Sequence, residues 1–119
     1  MTRVDTFIVN VEAVVVRDDR FLMIVRADGR FGAGWLTFPG GKLDWDGPAM
    51  DALEATVRRE LREEVGMEVV PPVLFVEGHT FATNGAPVLD IVMLARAGAG
   101  EPSVMAPAEV AAVAWLTAE

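Results

Sequence analysis

Arg59-Glu60-Leu61-Arg62-Glu63-Glu64-Val65-Gly66-Met67 is the stretch on which the reading of this chain turns. It puts three carboxylates within five positions. On a helix Glu60 and Glu64 are an i,i+4 pair, and Glu60 and Glu63 an i,i+3 pair. Like charges at those spacings cost a helix a few tenths of a kcal/mol each. Three glutamates on a helix are most often a solvated face. Here the grouping also suits a hard divalent cation, which takes oxygen ligands.

The surrounding pattern predicts a helix from about Ala49 to Val65. Leu53, Val57, Leu61 and Val65 form one apolar stripe at helical spacing. Arg58 and Arg62 flank that stripe on one side; Glu60, Glu63 and Glu64 fall together on the other. The acids are expected at the rim where helix meets sheet. Gly66 stands where a left-handed C-cap belongs, and Pro71-Pro72 forbids continuation.

Outward from the helix, short strands are expected. Phe7 to Val16 and Phe21 to Arg26 read as a hairpin around Arg17-Asp18-Asp19-Arg20. Trp35 to Phe38 reads as a short strand running into Pro39-Gly40-Gly41-Lys42. The glycines there let backbone approach a ligand and leave carbonyls free for a cation; taken alone, the segment is an ordinary tight turn. Lys42 to Pro48 reads as irregular. Val73 to Val76 and Val88 to Ala95 read as strands, with a turn at Asn84-Gly85. Pro107 to Val110 reads as one helical turn and Val113 to Leu116 as a last strand. No repeat or linker interrupts the chain, so residues 1–119 are expected to form one domain.

Bulk composition bounds the function. The chain has 119 residues, 52% hydrophobic and 24% charged, which fits one soluble domain. It has no cysteine and a single histidine, His79. Disulfides, thiolate sites and multi-histidine zinc sites are therefore excluded. No apolar run has the length of a membrane span, and the N-terminus lacks a signal-peptide core, so the expected location is cytoplasmic. The net charge of −8 argues against binding a nucleic-acid polymer. A small phosphorylated substrate is compatible with it if metal ions stand between carboxylates and phosphates.

At this point the chain resembles the Nudix hydrolases. Their signature runs glycine, five residues, glutamate, seven residues, Arg-Glu, an aliphatic, any residue, Glu-Glu, any residue, glycine, an aliphatic. Arg59 to Met67 matches its second half completely. The approach Trp35-Leu36-Thr37-Phe38-Pro39-Gly40-Gly41-Lys42 is also similar, as is a late tryptophan, Trp115, after an acidic loop. The first half departs. Asp51 stands where the family has glutamate, and nine residues separate it from Gly41 instead of five. The simplest reading is a four-residue extension within Asp44-Trp45-Asp46-Gly47-Pro48. Asp51 is then expected to support Arg59 with a shorter carboxylate.

The resemblance implies an α/β fold, an α/β/α sandwich around a mixed β-sheet, here without the usual C-terminal helix. It implies hydrolysis of a nucleoside diphosphate linked to another group, using Mg²⁺ or Mn²⁺. Glu60 and Glu64 would hold the cation with the Gly40 carbonyl. Glu63 would hold a second ion or orient water, and Glu63, Glu60 or a carboxylate from a later loop would act as general base. Arg59 would hold the carboxylates in place. Glu109, six positions before Trp115, is the later glutamate expected to complete the metal set, with Glu101 in reserve. Arg26, Arg30, Gly41 and Lys42 are the candidates for substrate binding; the two arginines are equally readable as solvated loop charges. His79, Trp35 and Phe81 are weaker candidates for contact with a base, against the commoner structural or core role. Two other classes stand beside the enzyme: a non-catalytic nucleotide-sensing module that keeps the fold, and an acidic scaffold that binds nothing. The chain ends just past the last expected strand. An uncovered sheet face is expected there, for which a homodimer is one remedy.

Overall fold

The structure is a computed structural model, and it describes residues 4–29 and 32–118. Seven strands and one helix follow in the order β1 (Ile8–Arg17), β2 (Arg20–Arg26), β3 (Leu36–Thr37), β4 (Gly40–Lys42), α1 (Ala52–Val65), β5 (Val69–Thr83), β6 (Ala86–Ala97) and β7 (Val110–Thr117). They form a mixed sheet with one helix against it, as expected, and the described residues contain no helix after β7. No helix among them is long and apolar enough to cross a membrane.

β1 organises the sheet. One edge pairs in parallel with β6 from Ile8 to Val16. The other edge is divided. The tight turn at Asp18 allows β1 and β2 to pair only at Val16–Phe21 and Arg17–Arg20. Beyond that the two strands part, and the β3–β4 segment fills the gap. β3 pairs with β2, and β4 pairs with β1 across Asn10, Val11 and Glu12. β7 closes the outer edge of β2. The Pro39-Gly40 turn is thus wedged where the sheet splits.

The core follows the period of two in the strands and 3.6 in the helix. Val11, Ala13 and Val15 of β1 and Leu22 and Ile24 of β2 meet Val57, Leu61 and Val65 of α1. Leu22, Leu61, Val15 and Val65 are completely buried. Burying such side chains contributes roughly 1.5–3 kcal/mol each. The helix begins at Ala52, three residues later than expected. Asp51 before it holds a left-handed conformation, φ 55°, with its side chain making no cap bond. Gly66 ends the helix at φ 68°, as its position predicted.

Two strands differ from the sequence reading. β4 forms from Gly40, Gly41 and Lys42, which have little strand propensity, because the free edge of β1 offers partners. β5 runs over 15 residues straight through Pro71-Pro72. It lies at the sheet edge, and its pairing with β6 skips from Val70 to Leu74, so the prolines sit in a bulge where no ladder bond needs their missing N–H groups. Asn84-Gly85, both at positive φ, make the two-residue turn to β6.

Candidate active site

The apolar stripe of α1 fixes the rotation of the helix, and this brings Glu60 and Glu64 to the wedge. Glu64 is only 5% exposed, an unusual burial for a carboxylate. The Gly40 N–H donates to its Oε1 at 2.9 Å. The Ala13 N–H bonds to the Pro39 carbonyl, and the Leu43 N–H to the Val9 carbonyl, each at 2.8 Å. Odd-numbered residues of this segment therefore face β1 with their backbone groups. Gly40 faces the other way, its N–H and carbonyl both turned from β1 toward the acids. Backbone requires glycine at Gly40, while at Gly41 a side chain would displace the Glu60 carboxylate. A Cβ on Gly40 would strike the Val11 carbonyl, and one on Gly41 would sit 2.5 Å from the Glu60 carboxylate.

Arg59 ties the helix to this turn. Its Nη2 donates to the Lys42 carbonyl at 3.0 Å and to Glu60 Oε1 at 3.1 Å. Its Nη1 lies 3.5 Å from Asp44 Oδ2. The carboxylate that meets Arg59 is thus Asp44, from the extended loop. Asp51, expected in that role, is exposed beneath the helix start.

A cleft of about 340 Å³ opens here, lined by Asn10, Arg26, Gly40, Gly41, Lys42, Asp44, Glu60, Glu64 and Glu109. Glu109 reaches it from the segment before β7. That segment is strapped down by Ser103 N–H to the Val65 carbonyl and Met105 N–H to the Glu64 carbonyl, each 3.0 Å. These bonds satisfy carbonyls that the helix end leaves open. The Ala27 N–H then fixes the Glu109 carbonyl at 3.0 Å.

Of the residues singled out from sequence, Glu60, Glu64, Gly40, Gly41, Lys42, Arg26 and Glu109 share this cleft, with Arg59 beside it. Glu63 does not line it. That side chain is exposed and reaches Glu60 and Arg59 only through its charge. Arg30 lies outside the described residues. Glu101, the reserve for Glu109, instead pairs with Arg17 at 2.8 Å. Asn10 and Asp44 were missed, since nothing local in a strand or an extended loop announces them.

Electrostatics single out the same pair. Burial raises the Glu64 carboxyl to about 7; the charges of Glu60 and Glu109 add to this, while the Gly40 N–H and Arg26 oppose it. Burial also raises Glu60, against its bond to Arg59. Hard oxygen donors crowded around glycine backbone suit a cation such as Mg²⁺. No three His, Cys, Asp or Glu side chains among the described residues form a ready-made metal cage. Mg²⁺ does not need one, because it commonly takes one or two carboxylates and fills its sphere with water and phosphate oxygens.

A second acidic group lies across β1. Glu12 is raised to about 8, first by burial and then by its hydrogen bond to Asp90 and the charges of Asp90 and Glu77. Asp90 is 2% exposed and accepts a 2.6 Å bond from Asn10 Nδ2.

The NUDIX domain family model matches residues 6–119, and the chain belongs to the Nudix hydrolase family. Among solved structures, a MutT Nudix hydrolase from Burkholderia pseudomallei is 33% identical, covering 95% of this chain and 84% of that one, with TM-score 0.80. The E. coli ORF135 protein is 27% identical over 95% of this chain and 75% of that one, with TM-score 0.65. The Nudix domain of Shewanella oneidensis NrtR, solved with ADP ribose, shares the fold at 20% identity and TM-score 0.73, covering 96% of this chain and 75% of that one. No curated protein matches the sequence.

Proposed function

We propose that this protein is a divalent-metal-dependent hydrolase of a diphosphate linkage in a nucleoside diphosphate joined to another group. The observation that carries this reading is the meeting of Glu60 and Glu64 with the Gly40 backbone in one cleft. Two carboxylates, half-buried and buried, lie beside a third, Glu109, with their acids held above the ordinary range. A cation would reverse that cost, and Glu60, Glu64, Glu109 and the Gly40 carbonyl would hold Mg²⁺ or Mn²⁺. When bound, such an ion neutralises the diphosphate and acidifies an attacking water.

The chain's own residues supply the rest. Arg59 holds Glu60 against the Lys42 carbonyl, which fixes the carboxylate for its ligand role. Arg26 and Lys42 stand on the cleft wall to meet phosphate oxygens. Glu60 is the better-placed general base, because Glu63 stands outside the cleft. ADP ribose in the NrtR domain supports a small nucleotide derivative as the ligand class. The exposed run Leu74-Phe75-Val76 on the β5 edge supports a homodimer, which a monomeric sedimentation mass at micromolar concentration would refute.

The test is a hydrolysis screen with Mg²⁺ over nucleoside triphosphates, oxidised nucleotides, ADP-ribose and dinucleoside polyphosphates. Release of a phosphate-containing product from at least one class is expected, and chelation should abolish it. Binding without turnover across the panel would favour a sensing module.

A further inference from the structure

Strand alternation sends Val11, Ala13 and Val15 to the helix and so turns Asn10 and Glu12 to the opposite face of β1. The parallel register sets Asn10 beside Asp90 of β6. On that face lies a second cavity, of about 480 Å³. It shares Asn10, Arg26 and Lys42 with the acid cleft, so the two form one continuous groove.

The two ends of this groove differ in chemistry. The cations Arg26 and Lys42 stand at the shared end. The far end has aromatic walls, with Trp35, His79 and Phe81 all partly exposed. His79 stacks on Phe81 at 6.2 Å between ring centres and 30° between planes. Asp90 lies deepest. Asn10 occupies one of its oxygens, His79 Nε2 is 3.5 Å from the other, and Glu12 also hydrogen-bonds to it. A carboxylate has about four acceptor positions, so these neighbours leave it able to accept more. The Thr37 hydroxyl is buried in the same lining with no partner among the described residues. An aromatic slot with an acceptor floor suits a flat ring that carries N–H donors. It repels an anionic group, which belongs with Arg26 and Lys42.

We propose that Asp90 reads an exocyclic amino group on the base of the bound nucleotide, making this protein selective for amino-bearing nucleobases over analogues that lack the amino group. The proposal deepens the nucleotide-hydrolase reading and rests on it for the position of the phosphates. A site built around a buried hydrogen-bonding group discriminates strongly against an analogue lacking the partner, because its own polar atom is then left unpaired.

The experiment is calorimetric binding of nucleoside monophosphates, CMP against UMP and GMP against IMP, to the intact protein. GMP differs from IMP by an amino group alone, and CMP from UMP by an amino group in place of an oxo group with its ring N–H. The amino member should bind at least about 10-fold tighter. Asp90→Asn should bring the ratio toward one, because an amide can turn either donor or acceptor to the base. If Asp90→Asn does not fold, Phe81→Leu replaces it: it should weaken both members alike and leave their ratio. Equal affinities in the wild type, no binding of any monophosphate, an unchanged ratio in Asp90→Asn, or an altered ratio in Phe81→Leu would each overturn the proposal. Hydrolysis with Mg²⁺ is scored separately. Turnover with equal affinities sinks the base reading and spares the hydrolase. A persistent ratio without turnover of any nucleotide sinks the hydrolase alone.

Discussion

Two groups of acids flank β1, and they are neutralised by different means. Glu60 and Glu64 come from a helix and are met by the Gly40 N–H and the Arg59 guanidinium, with the charge of Arg26 nearby. Glu12 and Asp90 come from adjacent strands and bond to each other, with Asn10 completing the set. Burial and the bond to Asp90 raise the Glu12 acid above its ordinary range, and this pair needs only a neutral donor in addition. The helix pair has no such partner, and Glu109 adds a third charge. On the two proposals above, a pair of carboxylates thus suits a cation at one site and an N–H donor at the other.

The largest expected effect breaks the helix pair. Glu64→Gln removes a ligand charge without changing volume, so turnover should fall at least about 10²-fold while the thermal midpoint holds. Full activity in this variant would end the cation reading of the cleft.

A second measurement compares the two groups without substrate. The acids of Glu64 and Glu12 are raised to about 7 and about 8 from 4.5. In each case the folded protein binds protons more tightly than the unfolded chain. Stability is therefore fullest below the unfolded value, and it is lost as pH rises through the folded values. Metal-free protein should lose on the order of 3 kcal/mol from Glu64 alone between pH 4.5 and 7. Denaturant unfolding in chelator at pH 5 and pH 8 reads this. Mg²⁺ should restore stability at pH 8, and Glu64→Gln should flatten the slope below pH 7. A flat wild-type profile would contradict the uncompensated burial of Glu64.

How much of this was legible in sequence follows from where each signal resides. The helix was legible because the stripe Leu53, Val57, Leu61, Val65 and the stop at Gly66 are local. So was the placement of Glu60 and Glu64, since both ride on that stripe's register. β4 was not, because pairing with β1 overrides the weak strand propensity of Gly40-Gly41. The expected strand began only after Pro71-Pro72, whereas β5 starts before them and takes them up in a bulge at the sheet edge. Glu63 was grouped with its neighbours by the helical wheel, but the cleft is narrower than the sector the wheel defines. The pairing of Asn10 with Asp90 depends on an 80-residue separation that no local pattern encodes.

Smaller effects should separate position from charge. In Gly41→Ala the new Cβ meets only the flexible end of Glu60, which can swing away. Turnover should drop roughly 10-fold with little change in melting temperature, since a displaced ligand weakens the site but not the core. Arg59→Ala should fall in the same range of about 10–100-fold, because it frees Glu60 from the Lys42 carbonyl. If either variant lost stability more than activity, the contact would be structural and the comparison with the strand pair would lose its contrast.

The smallest effect concerns Asp44, which took the position expected of Asp51. Its side chain is 71% exposed and lies 3.5 Å from Arg59 Nη1, while Arg59 already makes two shorter bonds through Nη2. An exposed pair of this kind contributes about 0–1 kcal/mol. Asp44→Asn should therefore lower kcat/KM by less than about 5-fold, an effect that raised salt would mimic in the wild type by screening. Asp51→Asn should change nothing in the cleft. A loss larger in Asp51→Asn than in Asp44→Asn would mean that the extended loop repositions when substrate binds. It would restore to Asp51 the part that the family pattern assigns it. A clear loss confined to Asp44→Asn would make the extension a working wall of the cation cleft, an element for which the strand pair has no counterpart.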